Sequence, residues 1–188
     1  MLADLSSFPQ LQTKRLFLRQ LSITDEGEIF LLRSSDAVNK YLDRPRANSI
    51  KDARDFIIRI NAGMSNNQSM YWAICLRDQN KAMGTICLWN FSADENKAEI
   101  GYELLPEFQG KGIMQEAFAR VLEFGFTTLN LTRIEAWTVQ QNLNSIKILQ
   151  RNQFERDAEL EKTIDRNAEG PDCIIFSLSR NNYLEARL

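Results

Sequence analysis

A mixed α/β fold is predicted for this 188-residue chain by three features: a pair of apolar runs, an alternating strand that ends at a proline, and a glycine-containing loop that opens an amphipathic helix. The paired runs are 71–76 and 82–89, separated by the polar stretch 77–81, the pattern of an antiparallel hairpin. The alternating strand is 98–104, stopped by Pro106. The loop 107–112 then leads into Met114, Ala117, Phe118, Val121 and Leu122, which repeat at helical spacing.

In chain order, Leu16, Phe17 and Leu18 between Arg15 and Arg19 read as a first strand. Segments 24–34 and 50–62 read as helices, the second with Asp52, Ala53, Phe56, Ile57 and Ile60 at helical spacing. The hairpin and strand 98–104 follow. Alternation along that strand sets Ala98, Ile100, Tyr102 and Leu104 on one face and Glu99, Gly101 and Glu103 on the other, so two carboxylates share a face. Beyond the amphipathic helix, 133–139 reads as a strand and 145–151 as a short helix. A last strand, 173–178, follows the turn Glu169, Gly170, Pro171. The expectation is about six to seven strands and about four helices. No repeat, low-complexity tract or Gly/Ser/Pro-rich linker divides the sequence, so one domain is expected over 1–188, with its body at 11–184.

Composition bounds the function. With 44% hydrophobic and 26% charged residues the chain has the balance of a soluble globular protein. A net charge of -2 and a pI near 5.4 supply no general attraction to nucleic acid or anionic membrane. Residues 1–10 lack a basic start followed by an apolar stretch, and no run of about 18 apolar residues occurs, so a cytoplasmic protein is expected. Cys75, Cys87 and Cys173 are odd in number and lie in apolar runs without disulfide or metal spacing, which reads as buried, reduced thiols. Glycosylation-like triplets begin at Asn67, Asn90 and Asn130 and are given no role. Histidine is absent, which removes Ser/His and Cys/His nucleophiles, a histidine base and most catalytic zinc sites. Proton transfer therefore falls to carboxylates, hydroxyls, thiols, lysine or backbone amides, with no metal expected.

Gln109, Gly110, Lys111 and Gly112 stand between a strand and a helix, where unpaired N–H groups and the positive end of the helix dipole favour an anion. A nucleoside-triphosphate loop is excluded because no glycine stands five residues before Gly110 with Lys-Ser/Thr following, and a dinucleotide fingerprint would need glycine at Gln115. An isolated Gly-x-Gly is more often a plain turn. Here, however, the loop follows a strand with two same-face glutamates and opens the strongest helix of the chain.

These residues resemble the GNAT superfamily of acetyltransferases, and within it the ribosomal-protein N-acetyltransferase, or RimJ/RimL-like, branch. The resemblance is carried by Thr13, Arg15, Leu16, Leu18 and Arg19, by 98–102, and by Pro106, Gln109 to Gly112, Glu116 and Ala117. Asn142, Ser145 and Phe154 complete it. It implies a mostly antiparallel sheet splayed open between strands ending near Leu104 and Val139, with acetyl-CoA as co-substrate and its pantetheine arm in the opening. Coenzyme contacts are then implied at Tyr102, Leu104 and Leu105, at Gln109, Gly110, Lys111, Gly112, Ile113 and Met114, and at Asn142 and Ser145. Two positions depart from the pattern: Glu107 stands where Gln or Arg is usual, and Gln153 replaces a glycine before Phe154.

A protonated amine must lose a proton before it attacks a thioester. Glu103 is the favoured acceptor, because it lies nearer the strand end than Glu99, four residues or about 13 Å upstream. The competing reading, two solvated glutamates on an exposed face, stands beside it. Gly101 between them would admit a ligand or merely allow close packing. The tyrosine that commonly protonates the thiolate in this superfamily falls at Leu149, and the resemblance assigns the leaving-group role to the Ser145 hydroxyl instead. Asn142, Asn144 and Ser145 would equally serve as helix caps. Trp72, Trp89, Trp137 and Tyr102 read as packing residues. The expected activity is direct acetyl transfer to a primary amine, a peptide or protein amino terminus such as that of a ribosomal protein. A polyamine or other small amine is the alternative, with acidic pockets favouring a cation, and Leu149 keeps a non-catalytic acyl-CoA-binding module in view. Segment 156–171 and the first two helices are expected to frame the acceptor, and a homodimer is expected from the habit of such families.

Overall fold

The computed structural model describes residues 8–65, 68–92, 96–164 and 172–187. Eight strands form one sheet in the order β1-β2-β3-β4-β5-β6-β8-β7. They are β1 Leu11–Gln12, β2 Leu16–Gln20, β3 Ser69–Leu76, β4 Ala82–Ser92, β5 Lys97–Leu104, β6 Arg133–Val139, β7 Glu155–Arg156 and β8 Cys173–Ser179. Every pairing is antiparallel except β5 with β6. Among the described residues the α-helices are α1 Glu26–Ser34, α2 Asp36–Asn39, α3 Ile50–Ser65, α4 Ile113–Thr127, α5 Leu143–Arg151, α6 Ala158–Glu161 and α7 Arg180–Glu185.

The sheet has two strands beyond the six read from the sequence, and both β1 and β7 are two residues long, too short for alternation to register. The additional helices α2, α6 and α7 run four to six residues, below two helical turns. Each is nonetheless capped: Ser35, Asp157 and Ser179 accept from the backbone N–H three residues on. The helix expected over 24–34 begins as a 3₁₀ turn, Ile23–Asp25, closed by a capping box between Ser22 and Asp25. The turn at 169–171 and the triplet at Asn67 lie outside the described residues.

Both faces of the central strands are covered, which is why β3 and β4 read as near-continuous apolar runs. On one face Leu16, Leu18, Trp72, Ile74, Ile86 and Leu88 pack against Ala117, Phe118 and Val121 of α4. On the other, Ala73 and Cys75 meet Ile29 and Leu32 of α1 and Ala53, Phe56 and Ile57 of α3. Fully buried side chains of this size each contribute roughly 1.5–3 kcal/mol by leaving water. These two layers clamp β3 to β5 and hold the C-terminal end of β5 at one edge of a gap.

Candidate active site

The gap arises where one strand pair parts. β5 and β6 are in register only at Lys97–Arg133, Ala98–Ile134 and Glu99–Glu135. β4 meanwhile follows β5 up to Gly84 opposite Leu104. The Leu105 N–H donates to the Met83 carbonyl at 2.9 Å, so Leu105 is turned toward β4 and its amide is engaged there. Backbone groups alternate sides along a strand, so those of Tyr102 and Leu104 face the gap. The resulting cleft, about 410 Å³, runs from Val38 and Leu42 past β5 to the glycine loop and the start of α5.

Gly110 and Gly112 both adopt φ of 73°, a conformation that glycine enters without steric cost. Gly112 is the N-cap of α4, and no side chain caps that helix. The first-turn amides are thus left for a ligand, at the positive end of a buried fifteen-residue helix. The loop is held from outside: the Glu116 carboxylate accepts from Thr13 Oγ1 at 2.5 Å, Arg15 N at 2.8 Å and Arg15 Nε at 2.6 Å. Arg15 Nη1 also donates to the Lys111 carbonyl at 3.1 Å. Lys111 is exposed, its ammonium 5.8 Å above the Phe108 ring centre, and Glu107 is exposed on the preceding turn. Gln109 folds back to donate from Nε2 to the Leu104 carbonyl at 2.9 Å. Ile113 and Met114 are buried in the first turn while lining the cleft.

Glu103 is not solvated. Its side chain is 5% exposed and its Oε2 accepts from Arg44 Nη2 at 2.5 Å. Thr85 Oγ1 donates to Oε1 at 3.2 Å, and the same hydroxyl lies 3.4 Å from the Tyr71 phenol. Burial first, and the nearby Glu103 charge second, push the Tyr71 phenol above its ordinary range. Glu99, half-buried farther up the strand, accepts from Asn90 Nδ2 at 2.5 Å. Gly101 lines the cleft and also packs closely against β4. A side chain there would meet the Cys87 sulfur 3.0 Å from its Cβ, so the glycine serves close packing between β4 and β5. Burial raises the Cys87 thiol to about 12 and the Cys75 thiol to about 11, so neither is a nucleophile near neutral pH. No group of residues able to hold a metal occurs among the described residues.

Asn142 caps α5, accepting from Ser145 N at 3.2 Å through Oδ1, and both residues line the cleft. The Ser145 Oγ lies 2.8 Å from the Tyr102 hydroxyl. The Tyr102 ring packs edge-on against Phe118 at 5.2 Å, and burial raises its phenol to about 12. Sequence reading took Tyr102 as a backbone contact and a packing residue; its hydroxyl reaches a partner 43 residues away. Leu149 is fully buried in the main core. The far end of α5 closes where the sequence has Gln153 in place of glycine. Gln153 itself takes the left-handed conformation, φ 65°, while Asn152 stays at φ -99°. Arg44 had no sequence signal, being joined to Glu103 across 59 residues.

A family model described as Acetyltransferase (GNAT) domain matches residues 15–155. The uncharacterized N-acetyltransferase p20 of Bacillus licheniformis is 33% identical over 174 residues, covering 92% of this chain and 97% of that one. The uncharacterized N-acetyltransferase YoaA of Bacillus subtilis is 32% identical over 171 residues, covering 91% and 97%. The solved structure of RimL, a ribosomal L7/L12 alpha-N-protein acetyltransferase in complex with coenzyme A, shares the fold. Its TM-score is 0.80 at 19% identity, over 93% of this chain and 99% of that one. With a parted β5–β6 pair and an uncapped glycine loop already in place, these matches mean that the chain belongs to the GNAT acetyltransferase family and is an acetyl-CoA-dependent N-acetyltransferase.

Proposed function

We propose that this enzyme acetylates the amino terminus of a peptide or protein. The charge of the cleft carries this reading. Of its described lining residues only Glu103 and Arg151 are charged, and Glu103 is already paired with Arg44. A polyamine with several ammonium groups requires several carboxylates, whereas a peptide amino terminus brings one charge followed by a neutral backbone. Val38, Tyr41, Leu42, Phe108 and Trp137 line the cleft with apolar surface suited to the first side chains of such a peptide. The unbroken sheet from Leu11 to Ser179 supports one acetyltransferase domain over 1–188.

In this reading the loop amides of Gly110, Gly112, Ile113 and Met114 hold the coenzyme pyrophosphate, with Lys111 adding positive charge. The gap-facing backbone of Tyr102 and Leu104 binds the pantetheine, and an N–H there polarises the thioester carbonyl. The side chain of Gln109 steadies the turn from within, through Leu104. Asn142 orients the pantetheine with the amide nitrogen left over from capping. Glu103, almost closed to solvent, takes the proton of the amine through a water, while Glu99 stands behind it as a charged neighbour. Ser145 donates to the departing sulfur.

Thiol release from acetyl-CoA, measured against amino-terminal peptides, spermidine and aminoglycosides with coenzyme binding followed by calorimetry, tests the reading. A kcat/KM for the best peptide at least about tenfold above that for spermidine is expected, a difference of some 1.4 kcal/mol. Preference for the polyamine overturns the peptide assignment.

A further inference from the structure

The Tyr102–Ser145 contact joins two hydroxyls, either of which could donate, and their relative acidity favours one direction. Each hydroxyl has one proton and lone pairs to accept another. The two oxygens lie 2.8 Å apart, and the Tyr102 hydroxyl makes this one hydrogen bond among the described residues. Both hydroxyls border the cleft, but a phenol, with an ordinary pKa of about 10, is a far stronger acid than an alcohol and so the better donor, while the alcohol oxygen is the better acceptor. With Tyr102 as donor, its proton is satisfied and the Ser145 proton is released toward the cleft, which Ser145 lines.

We infer that Tyr102 donates to Ser145 and thereby aims the Ser145 proton at the coenzyme sulfur, making Tyr102 a positioning residue for the leaving thiolate. This rests on the acetyl-transfer reading above and deepens it. Glu103 first takes the ammonium proton and passes it through water to solvent; as the free amine then displaces the thiol, the C–N bond forms, the C–S bond breaks with its electron pair leaving on sulfur, and the second nitrogen proton goes to the vacated Glu103. Ser145 keeps its proton and shares it with the sulfur as a hydrogen bond, because an alcohol is a far weaker acid than a thiol of pKa about 8.5. The same comparison holds for the phenol behind it, which burial keeps protonated. The thiolate takes its proton from water on release. Strand β5 thus supplies a tyrosine hydroxyl to the place that Leu149, buried in the core, cannot reach.

The test titrates the thiol of enzyme-bound coenzyme A by its thiolate ultraviolet absorbance, in the wild type, Tyr102→Phe, Ser145→Ala and the double variant. Tyr102→Phe keeps the ring against Phe118, and an unchanged thermal midpoint checks that it does. Both single variants are expected to raise the bound thiol pKa by about one unit, and the double variant by no more than either, since one proton serves both. With a turned-over acceptor, kcat falls about tenfold in each while KM for acetyl-CoA stays within about twofold. A thiol pKa that moves in Ser145→Ala and not in Tyr102→Phe, or shifts that add in the double variant, overturns the inference. Failure of the wild type to bind coenzyme A, visible in the same titration, would instead overturn the acetyl-transfer reading.

Discussion

Arg44 reaches from the segment after α2 to place Nη2 2.5 Å from Glu103, joining a loop to the strand that borders the cleft. The guanidinium is itself held, since Arg44 Nε donates to Asn39 Oδ1 at 2.7 Å, and Asn39, 1% exposed, donates to the Leu32 and Ser35 carbonyls. Glu103 therefore sits in a fixed orientation with its charge compensated. Arg44→Met strands a buried carboxylate and is expected to lower stability by about 3 kcal/mol. Glu103→Gln keeps the shape and removes the proton acceptor, so kcat is expected to fall by about 10²–10⁴. The double variant should recover part of the stability and none of the activity. Denaturant melts and thiol release on the four proteins decide it, and full activity in Glu103→Gln removes Glu103 from the chemistry.

A second buried pair lies away from the cleft. Arg19 presents Nη1 and Nη2 to the two Asp25 oxygens at 2.7 Å each, and Asp25 also accepts from Ser22 N at 2.8 Å. Asp25→Asn leaves the guanidinium buried with half of its acceptor, at a cost of about 3 kcal/mol. The urea midpoint is expected to fall with the slope unchanged, and the variant that remains folded should bind coenzyme A as the wild type does.

At the end of α5, a left-handed Gln153 lets Phe154 N donate to the Leu149 carbonyl at 3.0 Å, the six-to-one bond of a Schellman ending. A side chain in that conformation costs about 1–2 kcal/mol, while glycine loses about 0.5–1 kcal/mol of chain entropy. Gln153→Gly is therefore expected to stabilise by about 0.5–1 kcal/mol, raising the thermal midpoint by about 1–4 °C at unchanged kcat. A lower midpoint would mean that the exposed Gln153 side chain makes up for its backbone.

How much of this was legible depended on whether a signal was local. β3, β4 and α4 stood out because long apolar runs and a helical repeat are needed to cover both sheet faces. The glycine loop was legible because glycines occupy both of its positive-φ positions, Gly110 and Gly112. Alternation placed Glu103 on the correct face, but whether that face met water depended on Arg44, and no periodicity reports a partner 59 residues away. Gly101 read as room for a ligand or for close packing, and its contact with the Cys87 sulfur is one that only the register of β4 against β5 reveals. Tyr102 was placed by its backbone, and its hydroxyl became meaningful only when α5 brought Ser145 to it.

Glu116 links the first strands to the glycine loop, and its titration gives a pH signature. Burial alone would raise its carboxyl, but donors from Thr13 and from the Arg15 backbone and guanidinium outweigh burial and hold it below its ordinary value near 4.5. A carboxyl depressed in the folded state stabilises fully above the unfolded value, and that contribution is lost as pH falls through the depressed folded value. The stability difference between wild type and Glu116→Gln should thus be constant from neutrality to about pH 5 and shrink on further acidification. Because the same carboxylate anchors Arg15, whose Nη1 binds the Lys111 carbonyl, the variant should also loosen the loop and weaken coenzyme A binding about five- to tenfold at neutral pH. Calorimetric titration at pH 7 and thermal melts from pH 3 to pH 7 measure the two effects separately. Weaker binding with a pH-independent stability difference would place the role of Glu116 in shape alone, and unchanged binding would separate the Thr13–Arg15 clamp from the coenzyme site.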